Sequence, residues 1–518
     1  MMISANQIED NTEIDKGPYV ESDIQKYYAG KTVFLTGSTG FMGKCLVEKL
    51  LRGCPKLKRI YMLVRPKRGS SAQERLQKYF DDVLFSTVRQ SCPDFTSKVH
   101  LVEGDLMQED MALSEKDKNT MIDEVNIIFH NASNVKFFER MSTALKINVL
   151  GTKAMLDLAK QCKHIEGFLY VSTAYSHCYI KNIMEEAYPS PADMNTVKDL
   201  IAADLASPAG LNTADLPNIL GKFPNTYTFT KAIAEGLVND ASKQTSFPCI
   251  VYRPSIVLST WKEPFTGWAD NLNGPATLFF GYALGILHTG YKGDNVMDFI
   301  PVDMSINSML VSIWDAVNNR SKEPRSLVYN YGSSVVKPIT PRGFKELVPH
   351  DSNGSLLQPS IHQIYHTFII FVNNLWCFAF LFLLFHFVPA VIADAYLLFK
   401  GKKAQALPAF KKGFLSWKLL VYFVNGGWRI DISEINKAVD RMSSVDRNLF
   451  FCDVRELDWP EYCFTYARGF RQYIMKDSPS TLPAAKRKAR LLMRIHKTVK
   501  YMLILLIVYI FATKLGLL

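Results

Sequence analysis

Three observations predict an α/β protein built on one doubly wound parallel sheet. Short β-branched apolar runs alternate with helical stretches from Lys31 to about Gly332. Those runs are apolar throughout, as in strands covered on both faces. The first of them opens into a glycine-rich turn followed by an apolar helix.

Taken in order, the chain begins with a polar, acidic stretch, Met1 to Tyr19, without the apolar run of a signal peptide, so a loose tail is expected over residues 1–25. The sheet-bearing domain is expected over residues 26–345. Its first strand, Thr32 to Thr36, leads into Gly37-Ser38-Thr39-Gly40-Phe41-Met42-Gly43 and then a helix from about Cys45. Glycine is required where backbone approaches a pyrophosphate, and a helix start offers unpaired N–H groups to an anion. Gly37, Ser38, Thr39, Gly40, Phe41 and Gly43 are therefore the expected cofactor contacts. The second strand, Ile60 to Val64, runs into Arg65-Pro66-Lys67-Arg68, where an NAD site would place an acid. Cations suit a 2′-phosphate, so NADPH is the expected cofactor, held by Arg65 and then Arg68, although solvated surface charge would look the same. The third strand, Val99 to Glu103, brings Asp105 and Leu106 toward the adenine, and the fourth, Ile127 to His130, brings Asn131 and Ala132 toward the ribose.

The fifth strand, Phe168 to Ser172, ends in two hydroxyls, Ser172 and Thr173. Tyr227 and Lys231 follow on a helix, four residues apart and so on one face. The ammonium is expected to lower the phenol pKa toward neutrality, making Tyr227 a proton donor to a carbonyl oxygen that receives hydride at carbon. Tyr27 with Lys31 and Tyr396 with Lys400 share the spacing, but only Tyr227 follows a strand-end hydroxyl and opens an amphipathic helix. Thr173 is the preferred hydroxyl, with Ser172 the alternative. Asn148 is read either as holding a water that links Lys231 to solvent or as a packing or capping residue. Ile250 to Arg253 and Leu327 to Tyr331 complete seven strands, and the irregular stretches Tyr188 to Asn225 and Trp261 to Pro275 are expected above the carboxyl edge, on the substrate side.

Residues 346–400 read as an apolar, membrane-associated segment centred on Tyr365 to Val388. The run is long enough to cross a bilayer, but Asn373, Asn374 and Pro389 leave a re-entrant or surface-lying helical pair equally open. A small helical domain is expected over residues 401–480, and a basic flank with a C-terminal anchor over 481–518.

The net charge of +11 does not imply nucleic acid. Lys486, Arg487, Lys488, Arg490, Arg494, Lys497 and Lys500 supply most of it immediately before the apolar terminus, where anionic lipid would meet it. Nine scattered cysteines without CxxC pairs disfavour a metal site or a disulfide scaffold and fit a reducing compartment.

These residues resemble the alcohol-forming fatty acyl-CoA reductases. The likeness lies in TGSTGFMGK (36–44), HNASNVKF (130–137), VSTAY (171–175), FPNTYTFTK (223–231), YRPSI (252–256), GWADNLNGP (267–275), IPVD (300–303) and WPEYCFTYARGFRQY (459–473). Ser38 and Ser133 stand where alanine is common, and Phe138 where an acid is common. The resemblance implies an extended short-chain dehydrogenase with a Rossmann-like sheet, NADPH as donor, fatty acyl-CoA as substrate and a primary alcohol as product. It puts the nucleotide at Gly37, Gly40 and Gly43 and the proton donor at Tyr227 with Lys231. Arg253 is expected either to contact the CoA phosphates, to anchor the substrate loop, or to form a structural salt bridge. The acyl chain is expected to run through the Tyr365 to Val388 region. A lipid membrane is the expected partner, with the catalytic body facing cytosol at the endoplasmic reticulum or, alternatively, the peroxisome; neither nucleic acid nor metal is expected, and a homo-oligomer is left open. Rival readings are a sterol or sugar-nucleotide oxidoreductase or epimerase, and a non-catalytic NADP-binding scaffold.

Overall fold

In the computed structural model the described residues are 21–65, 69, 71–212, 214–272, 274, 276–320, 327–352 and 354–515. Arg68 and most of the 1–25 tail lie outside them. Seven parallel strands form the sheet: β1 Thr32–Thr36, β2 Arg59–Val64, β3 Val99–Glu103, β4 Ile127–His130, β5 Gly167–Val171, β6 Cys249–Pro254 and β7 Leu327–Tyr331. Their spatial order is β3-β2-β1-β4-β5-β6-β7, so strand order reverses between β1 and β4, where Thr36 sits beside His130. Doubly wound sheets bind ligands outside the carboxyl ends of the strands at that reversal.

Both faces are covered because nearly every strand side chain is apolar. Helices α1 (Phe41–Gly53) and α4 (Val302–Asn319) bury Leu46, Leu50, Leu310 and Ile313 on one side. Helices α2 (Gly151–Gln161) and α3 (Thr226–Ser242) bury Met155, Ala159, Ala234 and Val238 on the other. The stretch 188–225 is more regular than its composition suggests, since it holds a helix, Met194–Leu205, whose Val197 and Ile201 pack on Phe229 of α3 rather than on the sheet.

Helix α5, Leu375–Phe399, starts later and runs further than the apolar run suggests. Asn374 caps its start by accepting from the Cys377 N–H at 3.0 Å, and Pro389 is accommodated just after a π turn over Leu383–Phe387. Only 11% of its most apolar window is buried, which excludes a core helix. Helix α6, Ala406–Val424, returns alongside it. After α7, Trp459–Gly469, the chain ends in α8, Leu482–Lys514, a 33-residue helix that joins the basic flank and the apolar terminus without a break. Helices α5 and α8 are each long and apolar enough to cross a membrane.

The segment around α7 is not packed as a separate body. Ile430, Ile435, Phe450 and Tyr462 belong to the same hydrophobic cluster as Val33 and Leu50. Tyr331 Oη donates to Cys452 O at 2.8 Å, and Asn330 Nδ2 to Asp431 O at 2.8 Å. Asp446 caps the short helix before β1, accepting from Ser22 Oγ and from the Ile24 N–H. A Cβ on Gly469 would lie 1.9 Å from Gly267 O, so α7 touches the loop after β6 backbone to backbone.

Candidate active site

At the carboxyl end of β1, Gly37 has φ 71°, and a Cβ there would stand 2.7 Å from Ala132 N. A Cβ on Gly43 would stand 2.1 Å from Gly37 O, so only glycine lets α1 close on the turn. The Gly40 N–H donates to Gly37 O at 3.1 Å, and Gly40 leads into α1 with no side-chain cap. Thr39 and Gly40 are exposed beside the open helix start. Ser38 is buried, its Oγ without a hydrogen-bond partner and its carbonyl accepting from Tyr79 Oη at 2.9 Å. Phe41 stacks on Trp268 with centroids 5.5 Å apart, so its ring holds the loop after β6 over the start of α1.

Across the reversal, Asn131 Nδ2 lies 3.5 Å from Gly37 O and the Ala132 N–H donates to Thr36 Oγ1 at 3.1 Å. Asp105, beyond β3, accepts from the Met107 N–H at 3.0 Å, and Leu106 is buried under Gly151. Arg65 is exposed just past β2. A glycine cradle that any Cβ would fill, beside an uncapped helix start, fits the pyrophosphate of a dinucleotide.

Asn225 begins α3, its Oδ1 accepting from the Thr228 N–H at 2.9 Å, and this fixes Tyr227 in the first turn. The Thr173 side chain, at the end of β5, lies beside the Tyr227 phenol and favours its ionised form. Phe137 stacks on the Tyr227 ring at 6.0 Å. Burial pushes the phenol up to about 12, with Glu235 adding to the rise and Thr173 opposing it. The lowered phenol pKa expected from the sequence is thus not observed: burial outweighs any pull from Lys231, and the phenol is protonated at neutral pH. Lys231 is buried, its Nζ donating to Val171 O at 2.6 Å and lying 4.6 Å from the Tyr170 ring centre. Burial lowers its pKa to about 7, against the opposing pull of Glu235.

Ser172 turns away, its Oγ donating to Glu235, which leaves Thr173 as the hydroxyl beside the phenol. Glu235 is fully buried and paired with Arg253, Nη2 to Oε2 at 2.7 Å and Nε to Oε1 at 3.1 Å. His177 Nε2 stands 3.3 Å from the same carboxylate. Burial alone would raise the Glu235 pKa, but Arg253 and His177 outweigh it and hold the carboxyl well below the usual range.

At two positions the structure favours one of the alternatives left open by the sequence. Arg253 is 0% exposed and spends its remaining donors on Met184 O and Glu186 O, both at 3.1 Å, so it anchors the chain entering the substrate side and cannot meet CoA phosphates. Asn148, in a π turn over Lys146–Leu150, has a saturated carboxamide: Oδ1 accepts from Ser133 Oγ and the Asn134 N–H, and Nδ2 donates to Asn134 O and Thr230 Oγ1. The side chain therefore clips the loop after β4 to α3. The other two Tyr/Lys pairs are elsewhere, Lys31 paired with Glu166 and Tyr396 exposed on α5. Glu235, Phe137 and Trp268 carried no assigned role in the sequence, although Phe137 and Trp268 lie in the runs 130–137 and 267–275 and helical spacing sets Glu235 four residues beyond Lys231.

A titrating Lys231 predicts a pH limb. Its cation exists below a pKa of about 7, so kcat/KM should fall as pH rises through that value. Lys231→Arg, which does not deprotonate, should flatten the limb; an unchanged profile would show that another group titrates.

A parallel sheet with this strand order, a glycine cradle at its reversal and a Thr/Tyr/Lys set at the end of β5 define an extended short-chain dehydrogenase. A family model described as "Male sterility protein" matches residues 35–309, and a second of the same description matches 385–477. "Fatty acyl-CoA reductase 1" of Rattus norvegicus is 36% identical over 494 residues, covering 95% of this chain and 94% of its own. "Fatty acyl-CoA reductase wat" of Drosophila melanogaster is 32% identical over 500 residues, 96% of this chain and 94% of its own. The chain belongs to the fatty acyl-CoA reductase family. Among solved structures, the terminal R domain from the myxalamid PKS-NRPS biosynthetic pathway shares the fold at TM-score 0.54 and 20% identity, covering 85% of this chain and 90% of that one. The reductase domain of a nonribosomal peptide synthetase from Mycobacterium tuberculosis does so at TM-score 0.54 and 18% identity, covering 88% and 96%.

Proposed function

We propose that this protein reduces long-chain fatty acyl-CoA to a primary alcohol, using two NADPH, passing through a held aldehyde and releasing CoA. The observation that carries the reading is the Tyr227 phenol set beside the Thr173 side chain at the end of β5, on the same sheet edge as the glycine cradle. Relatives named as fatty acyl-CoA reductases over nearly the whole chain support the substrate class.

Gly37, Gly40 and Gly43 would hold the pyrophosphate, with Asp105, Asn131 and Ala132 along the nucleoside. When bound, the dinucleotide supplies hydride. Thr173 and Tyr227 orient the thioester oxygen by donating to it, and departure of the CoA thiolate leaves an aldehyde in the same grip. In the second reduction Tyr227 passes its phenolic proton to the aldehyde oxygen, and Lys231, titrating near neutrality, favours that transfer while cationic. Ser172 and Arg253 act through Glu235, keeping the end of β5 and α3 in register. Asn148 acts as a positioning residue.

The preference for NADPH rests on Arg65, exposed just beyond β2 where an acid would serve NAD. The apolar α5 and α8 and the basic flank before Tyr501 support attachment to an anionic membrane, with the body on the cytosolic side of the endoplasmic reticulum or, as the alternative, the peroxisome.

The test is product analysis with the full chain in detergent micelles, hexadecanoyl-CoA and NADPH. Hexadecanol and free CoA should appear with two NADPH oxidised per alcohol. Free thiol without alcohol would overturn the alcohol-forming reading. In the same assay Arg65→Ala should raise KM for NADPH about tenfold, the worth of one charge-assisted contact, and leave KM for NADH unchanged.

A further inference from the structure

The catalytic tyrosine is linked by an aromatic chain to the helix that returns from the membrane-type segment. Phe137 stacks on Tyr227, and Phe423, at the end of α6, packs on Phe137 with centroids 5.2 Å apart and on Tyr175 at 5.5 Å. The other side of α6 is hollow. Trp417, Leu420, Val421 and Val424 wall a cavity of about 110 Å³ whose opposite wall includes Phe279 and Tyr282. Thr289 and Lys345 excepted, its lining is apolar, aromatic or backbone, so it offers water few partners. Trp417 also lines a groove between α5 and α6, together with Phe378, Phe382, Phe410 and Phe414. One side chain therefore separates an outer groove on an exposed apolar hairpin from an inner cavity that ends next to Phe423. From Phe410 to Val424 the helix rises about 21 Å, the reach of a long hydrocarbon chain.

We propose that the acyl chain of the substrate lies along α6, its thioester end at Tyr227 past Phe137 and Phe423 and its methyl end at Trp417 or beyond, so that Val421 and Trp417 set the preferred length. This rests on the acyl-CoA reading above. It keeps the Tyr365 to Val388 segment as part of the path, with Ile369 and Phe371 on the inner cavity and Phe378 and Phe382 on the outer groove, and adds α6 as the element common to both. The occupant is the substrate's own chain rather than a resident lipid because the helix that walls the cavity through Val421 and Val424 also carries Phe423 onto the Phe137–Tyr227 stack, where a tethered carbonyl must be placed beside the phenol.

The test fills and empties the path in the full chain in detergent micelles. Val421→Trp should lower kcat/KM for hexadecanoyl-CoA at least tenfold relative to octanoyl-CoA, and Trp417→Ala should shift the preference toward chains longer than the wild type favours. Equal scaling of all lengths by both variants overturns the proposal. A readout without turnover uses the Tyr227→Phe protein and hexadecanoyl-CoA carrying a diazirine at its methyl end. Label on residues 410–424 supports the path, and label elsewhere, or label there only from a diazirine phospholipid, overturns it. Wild-type protein that makes no alcohol from any acyl-CoA would sink the proposed function, while the crosslink would still report where an acyl chain sits.

Discussion

Tyr227→Phe should lower alcohol formation about a thousandfold, within the range that a positioned general acid contributes, and leave NADPH affinity within about twofold, a change too small to count as a lost contact. The substitution removes one hydroxyl and keeps the ring, so the stack on Phe137 persists and the glycine cradle is untouched. Thr173 loses a polar neighbour, but its hydroxyl accepts from the Tyr175 N–H at 3.2 Å and stays placed. Single-turnover oxidation of NADPH measures the chemical step, and fluorescence titration of NADPH measures binding. Wild-type turnover in this variant would remove Tyr227 as the donor; lost binding together with lost turnover would mean that the phenol holds the cofactor in place.

Glu235→Leu should destabilise the fold by about 3–5 kcal/mol, the cost of leaving one member of a buried ion pair uncompensated. Arg253 would keep its bonds to Met184 O and Glu186 O but would hold an unneutralised charge at a 0% exposed site. Pairing the change with Arg253→Met should recover much of the loss, because two apolar side chains can replace a buried pair. Thermal melting of the single and double variants decides, and a single variant as stable as the wild type would show that the pair contributes nothing. Since Glu235 is held below the usual carboxylate range, its contribution is fully present above about pH 4.3, the unfolded value, and is lost only as pH falls toward the depressed folded value. The Glu235 carboxylate's own ionisation should therefore add no pH dependence to the stability gap above about pH 5.

Much of this architecture is written locally. All seven strands follow from apolar runs because the sheet is buried on both faces, and the boundaries differ by a residue or so, as at Gly167–Val171 and Cys249–Pro254. The cradle was legible because the requirement for glycine is steric. Which of two adjacent hydroxyls serves the phenol was not, since neighbouring residues at a strand end point oppositely and the choice depends on Glu235, 63 residues from Ser172. Arg253 misled for the same reason: its backbone partners lie 69 and 67 residues away. The expected acid shift of Tyr227 considered the nearby charge but not desolvation, which is the larger influence. Pro389 suggested a break in α5, yet a π turn just before it absorbs the distortion.

The cap that Asp446 places on the helix before β1 ties together groups 424 positions apart. On the ribosome, at ~5–20 residues per second, that separation is roughly 20–85 s of synthesis. Through this interval the emerging Rossmann half exposes the apolar patches that Ile430, Phe450 and Tyr462 later cover. Nascent chains of this protein should therefore stay open to holding factors until translation is nearly complete, and stop codons late in the message should send the product to degradation instead of yielding a working fragment.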